Sequence, residues 1–197
     1  MPMNIEKHIR EMMTDREECL NCPLYGHQTV ILEQLYDNKK NCDVLFYGIN
    51  PGKQEAKYNR PFIGPSGKLL RRKIEDVGLF NFNIAFTNAI LCSTPNEKDI
   101  PDVEICISHC KGLTREITKL MKPKIFVPVG QNSTSILFEI EGKISNLSGK
   151  LVKKGRYKII PVIHPASAIY NRNGPAAEIL QQSLENIKKE LENGLHS

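Results

Sequence analysis

Short, nearly unbroken apolar runs alternate along this chain with longer stretches whose apolar residues recur every three to four positions. Val44 to Tyr47 is rich in strand formers and too short for a helix. Asn83 to Leu91, Lys124 to Val129 and Lys158 to Ile163 repeat the type, with a weaker run at Leu151 to Lys154. Between them lie helical spacings. Leu69, Leu70, Ile74 and Val77 share one face of a helix expected over Ser66 to Val77, ended by Gly78 as a C-cap. Further helices are expected over Val103 to Met121 and Ala176 to Leu191, the latter burying Ile179, Leu180, Leu184, Ile187 and Leu191. Gly130 opens a turn into a short helix through Phe138. At the N-terminal end a helix is expected from Ile5 to Glu18, ending at a cysteine pair and Pro23. A second short one is expected over Thr29 to Tyr36, then a turn at Asp37 to Asn41. Strands alternating with helices predict a parallel sheet covered on both faces. A glycine-containing linker joins Phe138 to Leu151, but there is no repeat, low-complexity tract or sign of a second domain, so one domain over residues 1–197 is expected.

Composition changes this picture little. Of the 197 residues, 40% are hydrophobic and 25% charged, ordinary values for a chain with a real core. No apolar run approaches a membrane span, and Met1 to Arg16 lacks a signal-peptide core, so a cytoplasmic location is expected. The net charge of +5 is compatible with a polyanionic partner without defining one. Basic residues gather at Lys53, Lys57, Arg60, Lys68, Arg71, Arg72 and Lys73, and again over Lys150 to Lys158. Taken singly, each is better explained as solvated surface charge.

Six cysteines in a chain expected inside the cell favour metal ligation or buried thiols over disulfides. Cys19 and Cys22 form a C-x-x-C, which alone also suits redox and zinc sites. Cys92 and Cys110 flank a polar loop and the start of a long helix. Four thiolates suit zinc or an iron–sulfur cluster equally by spacing.

The chain is organised around Asp43 to Leu70: a strand, the turn Gly48-Ile49-Asn50-Pro51-Gly52, a loop holding Arg60-Pro61-Phe62, and a helix. This order brings backbone N–H groups to the carboxyl end of a sheet, where open α/β folds bind ligands. Alone it is explained equally well as a structural unit. Two further stretches add weight: Phe86-Thr87-Asn88 with Cys92 close behind, and Ile163-His164-Pro165-Ala166. Together these resemble the uracil-DNA glycosylase superfamily, most closely its iron–sulfur family 4, from Cys19 to about Tyr170.

That resemblance implies a three-layer α/β/α sandwich with a central, mainly parallel four-stranded sheet and a cluster-bearing N-terminal segment. It implies a [4Fe–4S] cluster on Cys19, Cys22, Cys92 and Cys110, with Cys106 one helical turn away as a competitor. Cys42 and Cys106 are otherwise expected to be core thiols. The activity implied is hydrolysis of the N-glycosidic bond of uracil in DNA, leaving an abasic site for base excision repair. By the same resemblance His164 contacts uracil O2, Asn88 reads the Watson–Crick edge, and Phe62 stacks on the flipped base. A carboxamide both donates and accepts, as edge reading requires. Ile169 or Tyr170 offers a wedge into the DNA and Arg172 a phosphate contact.

One departure stands out. Where the iron–sulfur family commonly has Gly-Glu-Ala-Pro-Gly, this chain has Gly48-Ile49-Asn50-Pro51-Gly52. That turn looks like the first motif of the mismatch-specific uracil/thymine glycosylases, whose Asn is catalytic. Asn50 is therefore the expected water-positioning residue, with Gly48, Ile49 and Gly52 at the substrate and Glu55 as rival base. A monomer acting on uracil-containing DNA is expected, with any sliding-clamp or repair partner left open. Two other readings stay open: a non-catalytic Fe–S module that binds uracil or abasic sites, and a nucleotide or nucleoside hydrolase on the same scaffold.

Overall fold

The computed structural model describes residues 4–14, 16–35, 41–94, 102–171 and 174–194. Within these residues the strands are β1 (Leu32–Leu35), β2 (Val44–Gly48), β3 (Ile84–Asn88), β4 (Ile125–Pro128), β5 (Val152–Lys154) and β6 (Tyr157–Ile159). They form one sheet in the order β1-β3-β2-β4-β6-β5. The central four, β3-β2-β4-β6, are parallel, as expected. The two edges, β1 and β5, pair antiparallel and extend the expected four strands to six.

β2 and β3 are buried at every position, which is why they read as continuous apolar runs rather than alternating ones. Val44 and Phe46 point into one core with Phe86 and Val127; Leu45 and Tyr47 point into the other with Ala85 and Phe126. The first core is closed by α4 (Pro65–Asp76) and α8 (Ala176–Asn193) through Leu70, Ile74, Leu180, Leu184 and Ile187. The second is closed by α1 (Ile5–Thr14) and α5 (Val103–Met121) through Ile9, Leu113, Ile117 and Met121. Helix, sheet and helix make the expected three layers. Among the described residues no helix is long and apolar enough to cross a membrane.

Several local expectations need correction. The helix expected over Thr29 to Tyr36 is instead the edge strand β1, with Leu32–Leu35 opposite Ile84–Thr87. Leu32 and Leu35, three positions apart with Glu33 and Gln34 between them, suit a helix by spacing, and the open edge of β3, which offers unpaired backbone groups, decides for a strand. The first helix ends at Thr14, and a separate turn, α2 (Glu17–Leu20), carries Cys19. The second expected strand stops at Asn88, because the chain then turns: Ala89 and Ile90 N–H groups reach the Gly48 and Ile49 carbonyls at 3.0 and 2.8 Å. The run before His164 is a ladder only through Ile159, continued by a single bridge from Val129 to Val162. The stretch through Phe138 contains a π-helix, Ser133–Leu137. The turn at Asp37 to Lys40 and the prolines at 95 and 101 lie outside the described residues.

Candidate active site and cysteine cavity

All four parallel strands deliver a residue to one cavity of about 380 Å³ at their carboxyl ends. Gly48 ends β2 and stands in register with Asn88, the last residue of β3. Val129 and Gly130 follow β4, and His164 follows the run that continues β6. Ile49, Asn50 and Phe62 complete the wall expected from sequence.

Close packing explains the glycines. A Cβ on Gly48 would lie 2.2 Å from Asn88 Oδ1 and 2.9 Å from the tip of the Phe62 ring. Only a residue without a side chain lets the carboxamide and the ring approach the same strand end. Asn88 is almost fully buried, and its neighbour Thr87 is tied by Oγ1 donating to the Ile31 carbonyl at 2.6 Å. Gly130 has φ +92°, and a Cβ there would meet His164 Cβ at 3.0 Å.

His164 is exposed at the cavity mouth, yet surrounding protein desolvates its ring enough to lower its pKa below the usual 6.5. Its Nδ1 accepts the Ala166 N–H at 3.2 Å. An accepting Nδ1 leaves the ring proton of the neutral form on Nε2. The residue is therefore a neutral hydrogen-bond donor at neutral pH. Asn50 Nδ2 donates to the Pro51 carbonyl at 3.2 Å, so its Oδ1 is the atom left to accept from a water.

Phe62 has φ +53°, a left-handed conformation that costs a non-glycine residue about 1–3 kcal/mol. Its ring packs on Phe86 with centroids 5.4 Å apart. Glu55 does not line the cavity: its Oε1 accepts the Ile63 and Gly64 N–H groups at 2.7 and 2.6 Å. Its carboxylate clamps the loop that follows Phe62. Gly52 caps α3 (Lys53–Tyr58) beside that carboxylate and is likewise outside the cavity wall.

The sequence did not point to Val103, Val129, Gly130, Gln131 or Asn132 as wall residues. Gly130 carried a signal, a glycine just past an apolar run, of the kind already read at Gly48. In α7 (Ala166–Tyr170), Tyr170 is 88% exposed and Ile169 half-buried, so Tyr170 is the side chain free to reach a partner. Arg172 lies outside the described residues.

A second cavity, of about 410 Å³, is lined by Cys19, Cys22, Cys92 and Cys110, with Arg10, His27 and His109. Cys19 comes from α2, Cys22 from the turn after it, Cys92 from the segment after β3, and Cys110 from α5. Burial raises the thiol pKa values of Cys19, Cys92 and Cys110, the last to about 12, and neighbouring thiols add to each. Such mutual repulsion is what a bound cationic group relieves. The thiols face a shared space: among the described residues no three His, Cys, Asp or Glu side chains are arranged to hold a single ion. Cys106 is fully buried beside them, interacts with Cys22 and does not line the cavity. Cys42 does not line the cavity, and its Sγ donates to the Val44 carbonyl at 3.1 Å.

A strand-end pocket with an aromatic wall, a buried carboxamide and an imidazole marks an α/β protein suited to a flat polar ligand. Residues 36–189 match the family described as the Uracil DNA glycosylase superfamily. The chain is 32% identical to the type-4 uracil-DNA glycosylase of Sulfurisphaera tokodaii over 181 residues, 87% of this chain and 79% of that one. It is 31% identical to that of Saccharolobus solfataricus (88% and 82% covered) and 26% identical to that of Thermotoga maritima (94% and 96%). The chain belongs to the uracil-DNA glycosylase superfamily, within its type-4 group.

Proposed function

We propose that this chain is a hydrolytic uracil-DNA glycosylase that removes uracil from DNA and leaves an abasic site. The observation that carries the reading is the single cavity shared by Asn50, Phe62, Asn88 and His164, a set spread over more than a hundred positions of sequence. A flipped uracil needs a stacking face, an edge reader and a donor at O2. Phe62 supplies the first, Asn88 the second and the Nε2–H of His164 the third. Uracil leaves as an anion, and a neutral donor in a partly desolvated site stabilises that charge as it develops.

Asn50 has no accessible pKa, so it orients water and takes no proton. Bond breaking is accordingly dissociative: the glycosidic bond opens first with its electron pair leaving on uracil, water held on Asn50 Oδ1 then adds to the sugar cation, and the proton it loses goes to the departed uracil anion. Glu55, committed to the Ile63 and Gly64 amides, holds the loop. Tyr170, with Ile169 behind it, is the wedge, and Arg172 a phosphate contact. Cys19, Cys22, Cys92 and Cys110 would hold a [4Fe–4S] cluster, their cavity and mutual repulsion fitting a multi-iron group. When bound, such a cluster would supply a crosslink between the N-terminal segment, the loop after β3 and α5.

Incubation with a uracil-containing single-stranded oligonucleotide, followed by alkaline cleavage at abasic sites, tests the reading. Strand cleavage dependent on the enzyme is expected. Binding without abasic-site formation would favour a recognition module, and cleavage of free nucleoside alone a small-molecule hydrolase.

A further inference from the structure

Phe62 is the one cavity-wall residue held in a left-handed conformation without being glycine. Nothing in its own side chain favours that state, so the surroundings must impose it. Two contacts do so. The Phe62 backbone lies so close to α4 that a Cβ on Gly67 would fall 2.1 Å from its carbonyl carbon. Arg71, one turn further along α4, then takes hold of two successive carbonyls: Nε donates to Phe62 O and Nη2 to Pro61 O, both at 2.8 Å.

The guanidinium is itself fixed on two further sides. It pairs with Glu33 on β1, and it lies over the Phe86 ring with its carbon 4.5 Å from the centroid. Phe86 is the same ring against which Phe62 packs. A rigid planar fork can hold two carbonyls, a carboxylate and an aromatic face at once, which the point charge of a lysine cannot.

We infer that Arg71, braced by Glu33, is a positioning residue for the base-stacking ring: it pins the Pro61–Phe62 backbone in the strained turn that aims Phe62 into the cavity. This inference rests on the stacking role proposed for Phe62. Arg71 does not itself line the cavity.

A double-mutant cycle tests it, with single-turnover cleavage of a single-stranded uracil oligonucleotide as the readout and thermal unfolding recorded alongside. Arg71→Gln is expected to slow cleavage about 10-fold, the scale of a misaimed contact group. In the Phe62→Ala background the same substitution should cost nothing further, because a residue acting through Phe62 has nothing left to position. A general loss of structure would instead multiply with Phe62→Ala. Arg71→Lys keeps the Glu33 pair, and so the fold, but loses the fork; it too should be slow, and only when Phe62 is present. Multiplicative losses, or a wild-type rate for Arg71→Lys, overturn the positioning role and leave stacking intact. A silent Phe62→Ala overturns stacking, and the positioning role with it.

Discussion

The cavity that holds His164 is built mainly on strand ends and the turns that follow them, whereas the cavity lined by four cysteines draws on a four-residue helix, the turn after it, an isolated bridge and a long helix. Gly48 and Asn88 are fixed by ladder register, and Gly130 by its N–H bond to the Val162 carbonyl at 2.8 Å. Cys19 rides on a four-residue helix, and Cys92 on an isolated bridge to Thr29. The two sites are neighbours, since Ile49 lines the first and packs on the cysteine cluster of the second. The difference teaches that one site is pre-organised by the sheet, whereas the other, if it holds the proposed cluster, gains order from that group.

The largest effect should follow from breaking the weaker site. Cys110→Ser or Cys19→Ser is expected to lose iron and unfold the N-terminal segment, seen as colourless protein with a collapsed melting transition. Cys42→Ser, outside the cysteine cavity, should keep its iron; iron loss there would erase the distinction between the two sets of thiols. Next in size, Asn50→Ala should lower the cleavage rate about 10²-fold while leaving uracil-DNA binding and the melting temperature intact. If Glu55→Gln abolishes cleavage and Asn50→Ala does not, the water belongs to Glu55. Phe62→Ala should cost roughly 1–3 kcal/mol of stacking, read as weaker binding to uracil-containing single strands.

The smallest effect is one of pH. The His164 pKa is lowered by desolvation, so its neutral form persists below pH 6.5. Activity that needs the neutral donor should be level above pH 6.5 and fall as pH drops through the lowered pKa. The unfolded chain binds the proton more readily, so His164 also makes the fold less stable as pH falls below 6.5. His164→Gln should flatten that acid limb at a reduced rate. An unchanged limb would assign it to another group.

How far these features were legible depended on range. The strands β2 and β4 announce themselves because burial on both faces leaves unbroken apolar runs, and Gly48 and Gly130 follow at their readable ends, while His164 ends the apolar run that continues β6. The edge strand β1 does not, because Leu32, Glu33, Gln34 and Leu35 fit a helix until the open side of β3 is present to pair with them. The cysteine grouping followed from a family pattern and not from spacing. The left-handed turn at Phe62 and the hold of Arg71 upon it depend on contacts among β1, α4 and the loop, which no local pattern encodes. Gly130 was visible as a turn glycine, but its role in seating His164 appears only when the ends of β4 and β6 are brought together.

The contrast between a sheet-built site and a site proposed to depend on its cluster is tested most directly by hydrogen exchange on iron-loaded and iron-stripped protein. Stripping should expose the amides of Cys19, Cys22 and Cys92, while those of Gly48 and Asn88 in the ladder and of Gly130 beside it stay protected. Equal loss of protection at both sites, or none at either, would contradict the account.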